Sequence, residues 1–253
     1  MRTKGFLPAL LLIATNAGER VRVALPTDAS VALPIAIPNE NTVAAGDLRD
    51  GVLTVALDAT MTMWHPNGDS LPGIPIEAFA ERGKAPQVPA PLLRVPRGTE
   101  IRASLRNTLE RDTLTFFLPV PGGVDSVVVP PGETRDLRGR APDPGTFLYR
   151  ATVSTPTARA LRVGGLLAGA MVVDSSSTVS RASNRARDRI FVLLAATDAA
   201  DPTFNAPLVT RTVRAINGRS WPHTPRISAS VGDTLRWRVL NAANDIHPMH
   251  LHG

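Results

Sequence analysis

Two segments of the chain, 134 positions apart, align without a gap: Gly98-Thr-Glu-Ile-Arg-Ala-Ser-Leu-Arg-Asn107 and Gly232-Asp-Thr-Leu-Arg-Trp-Arg-Val-Leu-Asn241. Glycine, arginine and asparagine recur at the same offsets, and aliphatic residues recur at two more. That spacing is far longer than the ~20–50 residues of a solenoid unit. It suits a duplicated domain of roughly 100–150 residues, so the 253 residues resolve into two repeats. The first repeat continues from Pro119 to Asp174 beyond the position equivalent to Gly253. The second is therefore expected to be truncated within its fold, leaving strand edges unpaired and one face uncovered.

Within each repeat the pattern is one of short strands between turns. Val52, Leu53, Val55 and Leu57 alternate as a strand expected to end near Asp58, and Pro66-Asn-Gly-Asp69 follows as a turn. Ile74–Arg82 is expected to hold one or two helical turns. Residues 89–96 are extended, Ile101, Ala103 and Leu105 alternate, and Pro130-Pro-Gly132 and Asp143-Pro-Gly145 are turns, the latter leading into a strand over Thr146–Tyr149. The apolar run Val163–Val173 contains three glycines and is expected to be a buried strand, as is Ile190–Leu194. No long amphipathic helix is evident, so the expected class is all-β, an antiparallel sandwich or barrel. The expected organisation is a leader over 1–18, a β domain over 19–176, a polar linker over 177–188 and the opening of a second β domain over 189–253.

Net charge is +6, yet only two of the 28 basic residues are lysines, and the densest arginine run is interrupted by Asp188. The charge is spread rather than clustered, and no nucleic-acid-binding motif accompanies it, so a nucleic-acid partner is not expected. With no cysteine in the chain, it holds no disulfide, no thiolate zinc site and no blue-copper thiolate. A basic start at Arg2 and Lys4, the apolar stretch Phe6–Ala14 and the small residues Ala17 and Gly18 have the layout of an export signal. Nine apolar residues are too few for a bilayer span, which needs about 20. The expectation is an exported protein, periplasmic or extracellular, without a membrane span.

Three of the five histidines stand at the end of the chain, in His247-Pro-Met-His250-Leu-His252-Gly253. Imidazole is the commonest nitrogen ligand for copper and zinc. Residues two apart on a strand share a face, so His250 and His252 can present both rings to one metal cluster. His247, at opposite parity and separated by Pro248, points to a different site. Asp245 is a candidate acceptor that orients a ligating imidazole.

With Asn217-Gly-Arg-Ser-Trp221-Pro and Gly232-Asp233 upstream, this segment resembles the multicopper oxidases, the laccase-like family built from cupredoxin domains, in which a His-Pro-x-His-Leu-His-Gly segment opens the copper-binding part of the last domain. In the first repeat, Pro89-Ala-Pro-Leu-Leu-Arg-Val-Pro-Arg-Gly-Thr99, Pro131-Gly-Glu-Thr134, Pro144-Gly-Thr-Phe-Leu-Tyr149 and Gly165–Val173 extend the likeness. It implies a cupredoxin-like Greek-key β-sandwich, one complete domain plus a truncated second. It also implies His247 as a ligand of a mononuclear blue copper, His250 as a ligand of the type 2 copper of a trinuclear cluster and His252 as a ligand of one of its type 3 coppers. The implied partners are dioxygen, reduced to water, and a reducing organic or metal-ion substrate; oligomerisation is compatible with this.

The first repeat departs from that pattern. Family members supply two further His-x-His pairs from this domain, whereas the ungapped repeat places Thr113, Phe116 and Leu118 at one set of ligand positions, and Arg150, Ala151 and Thr152 follow Tyr149 at the other. None coordinates copper, so the first domain is expected to be structural, and the chain by itself inactive as an oxidase. The alternative is a noncatalytic cupredoxin-like copper-binding or scaffold protein. His65 and His223 are expected in a turn and a surface loop, Trp221 and Trp237 in the core, and Asp233 in the turn before its strand.

Overall fold

The structure, a computed structural model, describes residues 32–154, 166–175, 188–198, 211–243 and 246–249. Alternation decides the first sheet. In β7 (Glu100–Asn107) the residues Ile101, Ala103 and Leu105 are buried while Arg102 and Arg106 face water, and in β3 (Val52–Trp64) Leu53, Val55, Leu57 and Ala59 do the same. β3 and β7 pair in parallel, with β4 (Ile74–Glu81) antiparallel on the other side of β3. β1 (Ile37–Pro38), β5 (Pro86–Val88) and β10 (Thr134–Arg140) complete the sheet order β1-β5-β4-β3-β7-β10, and β2 (Asp47–Arg49) pairs with β3. The second sheet runs β6-β12-β11-β8-β9, from β6 (Ala90–Pro96), β12 (Ala168–Asp174), β11 (Gly145–Val153), β8 (Leu114–Val120) and β9 (Gly123–Val129). A third sheet, β14-β13-β15, comprises β13 (Asp188–Asp198), β14 (Arg211–Ile216) and β15 (Arg236–Asn241).

The all-β expectation holds, with one local correction. Ile74–Glu81 is a strand because its apolar residues recur every second position: Ile74, Ile76 and Ala78 enter one core, and pairing with β3 satisfies its backbone. β3 also runs six residues past Asp58, where Thr62 and Trp64 are buried on the face opposite Leu57 and Ala59 and Trp64 enters the second core. The sheets are mixed: β6–β12, β3–β7 and β13–β15 are parallel pairs. Residues 1–18, Val163–Gly165 and most of 177–188 lie outside the described residues. Among the described residues no helix is long and apolar enough to cross a membrane.

β12 explains its own uninterrupted apolar composition. Met171 and Val173 join the core between the first two sheets, while Ala168, Ala170 and Val172 join a second core with Ile190, Val192, Leu194 and Ala196 of β13 and with Leu240. A strand buried on both faces reads as a continuous hydrophobic run.

The first core centres on Phe79, Phe116 and Tyr149, whose ring centroids stand 5.8–6.4 Å apart. Burial holds the Tyr149 phenol well above its ordinary range, so it stays protonated and donates to the Pro91 carbonyl. Gly169 makes room for that ring, since a Cβ there would stand 2.6 Å from it. Gly169→Ala is expected to destabilise the protein by about 1–3 kcal/mol, the usual cost of overpacking. Gly123→Ala, with nothing within 4 Å, is expected to change stability by less than about 0.5 kcal/mol. Equilibrium denaturant unfolding of the two variants checks the contrast.

Candidate metal centre

The strand that leads to the histidine segment repeats the first domain residue for residue. Asp188 pairs with Arg236 across β13–β15 as Thr54 pairs with Arg102 across β3–β7, so both members of the pair keep the 134-position offset. Ala242 N donates to Leu193 O, and Thr108 N to Ala59 O, each at 2.9 Å. Asn241 Oδ1 accepts from Ala243 N, and Asn107 Oδ1 from Leu109 N, each at 3.0 Å. The recurring asparagine thus closes the same two-residue Asx turn in each repeat. The order β14-β13-β15 reproduces β4-β3-β7.

Beyond that turn stands His247, between the exposed Ile246 and Met249. Its ring is half-buried, and its Nε2 is buried with no hydrogen-bond partner among the described residues. An imidazole nitrogen in that state costs about 1–3 kcal/mol, a cost that a hydrogen bond or metal ligation removes. Asp245, His250 and His252 lie outside the described residues. Among the described residues no three His, Cys, Asp or Glu side chains converge on a metal position.

The first repeat shows what occupies the corresponding places. Phe116 and Leu118 are wholly buried in the core, and the opposite face of β8 carries Thr115 and Phe117. Across the ladder Arg150 pairs with Phe117 and Thr152 with Thr115. The Arg150 guanidinium lies 5.1 Å from the Phe117 ring centroid. This outward face offers a cation–π contact and two hydroxyls, and no imidazole, so the first domain does not fit a copper cluster.

A buried ionic cluster fixes β13 and β15 against the first domain. Arg94 of β6 donates to both carboxylate oxygens of Asp174 and to Asp188 Oδ2, each at 2.9 Å. Arg238 of β15 reaches Asp188 Oδ2 at 3.3 Å and Thr146 Oγ1 at 2.7 Å. Asp188 Oδ1 has no hydrogen bond, and its nearest charge contact is Arg236 at 3.8 Å. Burial alone would lower the pKa of Arg94, but its bonds to Asp174 and Asp188 outweigh that and raise it. Sequence reading placed Asp188 in a linker. The missed signal was an acid at the first position of an apolar strand, where only a buried cation makes it tolerable.

A second seam is neutral. Asn217 donates to Ile190 O at 2.8 Å, and its Oδ1 accepts from Val192 N at 2.9 Å and from Asn41 Nδ2 at 3.1 Å. Gly218 presses against β5 so closely that a Cβ would stand 2.1 Å from Val88 O, and its carbonyl accepts from Trp64 Nε1 at 2.8 Å. Arg219 donates to His65 O and to Asp69, first by a hydrogen bond and then by its charge holding the Asp69 carboxyl below its ordinary range. His65 follows the end of β3 and His223 lies exposed on its loop, as expected. Asp233 Oδ2 accepts from Ser230 N in the turn before β15. Two expectations fail: Trp221 is 80% exposed, and Trp237 is 43% exposed with its ring edge to Phe191. Trp237 lies at odd parity on β15, and Leu240 takes the inward place.

Fold and repeat together define a cupredoxin-like β-sandwich architecture. Residues 191–253 match the family model for multicopper oxidase. Among solved structures, the chain is similar to a multicopper oxidase described as mgLAC, with TM-score 0.56 and 17% identity over 77% of this chain and 62% of that one. It is also similar to a blue copper oxidase (TM-score 0.52, 19% identity, 76% and 60% of the two chains) and a copper nitrite reductase (TM-score 0.50, 22% identity, 75% and 67%), both of Nitrosomonas europaea. A curated relative, a probable nitrite reductase-hydroxylamine oxidoreductase fusion protein of Kuenenia stuttgartiensis, is 24% identical over 81% of this chain. The chain spans 25% of that relative's length.

Asp188→Ala, which leaves Arg94 and Arg238 facing an empty buried position, is expected to cost about 3–5 kcal/mol. The loss is read from the denaturant midpoint.

Proposed function

We propose that the chain contributes a ligand-free cupredoxin domain and the histidine-bearing opening of a second one to an exported multicopper oxidase, with His247, His250 and His252 as copper ligands. The observation that carries this reading is His247 Nε2, buried and unpartnered among the described residues within a segment that matches the family model. Copper bound there supplies one-electron transfer from a reducing substrate and the reduction of dioxygen to water. The chain's own part is to hold imidazoles in register. β15 is anchored through Arg238, Asn241 closes the turn, and the segment that follows carries the ligands. The inward places of the first repeat, Phe116 and Leu118, are fully buried among apolar side chains. Asp245 is the candidate orienting acceptor, and the leader at 1–18 provides export.

A noncatalytic copper-binding or scaffold role is the competing reading, favoured by the outward face of Thr115, Phe117, Arg150 and Thr152, which carries no ligand. The name of the curated relative makes nitrite the competing electron acceptor.

By itself the chain is expected to bind Cu(II) through nitrogen donors and to show no oxidase turnover. In titrations followed by electron paramagnetic resonance, the His250→Ala, His252→Ala double variant is expected to lose tight Cu(II) binding. Retention of that binding would overturn the ligand assignment.

A further inference from the structure

Strand parity places Met61, Met63 and His65 on one face of β3 and its extension, in the run Met61-Thr-Met-Trp-His65, while Thr62 and Trp64 are buried on the other face, Trp64 in the second core. Neither methionine belongs to either apolar core; both are half-buried, on the face of β3 that carries Leu57 and Ala59 further back along the strand. The donor atoms converge. Measured from the place a Cβ would take on Gly73, Met63 Sδ is 2.7 Å away and His65 Nε2 is 2.8 Å away. The absence of a side chain at Gly73 is what lets the thioether and the imidazole share that space.

The imidazole is also oriented as a ligand. His65 Nδ1 lies 2.9 Å from Leu71 O. A carbonyl only accepts, so Nδ1 carries the proton and the Nε2 lone pair faces Met63. Metal-binding histidines characteristically donate their other ring N–H to a carbonyl or carboxylate, which fixes tautomer and ring angle. The Leu71 contact therefore spans the turn 66–71 and pins the ring, while Arg219 holds the base of the same turn through His65 O and Asp69. With the Asp69 carboxylate engaged by Arg219, and Glu77, opposite Met61 on β4, also engaged, the donors left facing the site are neutral sulfur and nitrogen. Soft thioether and imidazole donors select cuprous ion over zinc, calcium or magnesium.

We propose that Met63 Sδ and His65 Nε2, with Met61 beside them on the same strand face, form a Cu(I)-binding site separate from the His247 segment. It lies where β3 meets the loop of residues 217–223, outside the first core, and needs no ligand from the terminal histidines. No electron transfer is part of the binding: a cuprous ion arrives and leaves as such.

The test is anaerobic titration of the full chain with Cu(I) in competition with bicinchoninate, together with X-ray absorption of the loaded protein. Because the chain has no cysteine, any copper–sulfur scattering reports a methionine. The His247→Ala, His250→Ala, His252→Ala triple variant is expected to keep one Cu(I) with sulfur in its shell. Met63→Leu and His65→Gln are each expected to weaken that binding by about tenfold or more, since loss of even an outer partner has this effect at metal sites. Met249→Leu is expected to leave binding unchanged. Met63→Leu conserves volume, and an unaltered thermal midpoint will show that it folds. The proposal is overturned if the wild-type chain binds no Cu(I). It is equally overturned if the triple variant loses Cu(I), if Met249→Leu removes the sulfur signal, or if Met63→Leu keeps wild-type affinity.

Discussion

The placement of Asp188 is the constraint on which the arrangement depends. A carboxylate at the head of an apolar strand is excluded from a protein interior unless cations meet it there. Arg94 comes from the edge of the first domain's second sheet and Arg238 from the strand that runs toward the histidines, and both converge on Asp188. The two arginines give the cluster direction. An apolar contact alone would let β13 slide along β12, whereas Arg94, gripped by two acids, and Arg238, tied to Thr146, fix one register. Asn217 repeats the logic with neutral groups a few residues further along β13, joining Ile190 and Val192 to Asn41.

These two seams join the second repeat to a first domain whose β8 and β11 carry no imidazole on their outward face. Phe79, Phe116 and Tyr149 fill its centre, and Arg150 lies over Phe117 on the outward face of β8. β12, buried on both sides, serves the domain's own core and the core beneath β13. The first repeat supplies a docking face, and in the second the histidine segment follows β15, which Arg238 ties to that face through Thr146.

Much of this was legible from residues. The repeat of Gly98–Asn107 in Gly232–Asn241 identified two equivalent segments, which the structure shows as β7 and β15 with matching Asx turns at Asn107 and Asn241, although their parallel pairing departs from the antiparallel expectation. Alternation located β7, and the continuous run before Asp174 announced a doubly buried strand. What failed depended on contacts distant in sequence. Ile74–Glu81 suits a strand only because β3 lies beside it, and the bulk of Trp221 and Trp237 says nothing about which face of the structure each meets. Asp188 looked like a break in a basic run because its partner Arg94 lies 94 positions away. His65 looked like a turn residue, and it stands directly before the turn of Pro66 and Asn67. That Met63 and His65 crowd together over Gly73 emerges only once the turn folds back.

The division of labour between the repeats is most directly tested by the copper content of the complete gene product, measured by elemental analysis alongside its visible spectrum and dioxygen consumption. The account predicts a mononuclear blue centre with a thiolate absorption band together with a trinuclear cluster, and reduction of dioxygen in the presence of a reducing substrate. A product that holds one copper or none, with no thiolate band and no dioxygen uptake, would contradict it.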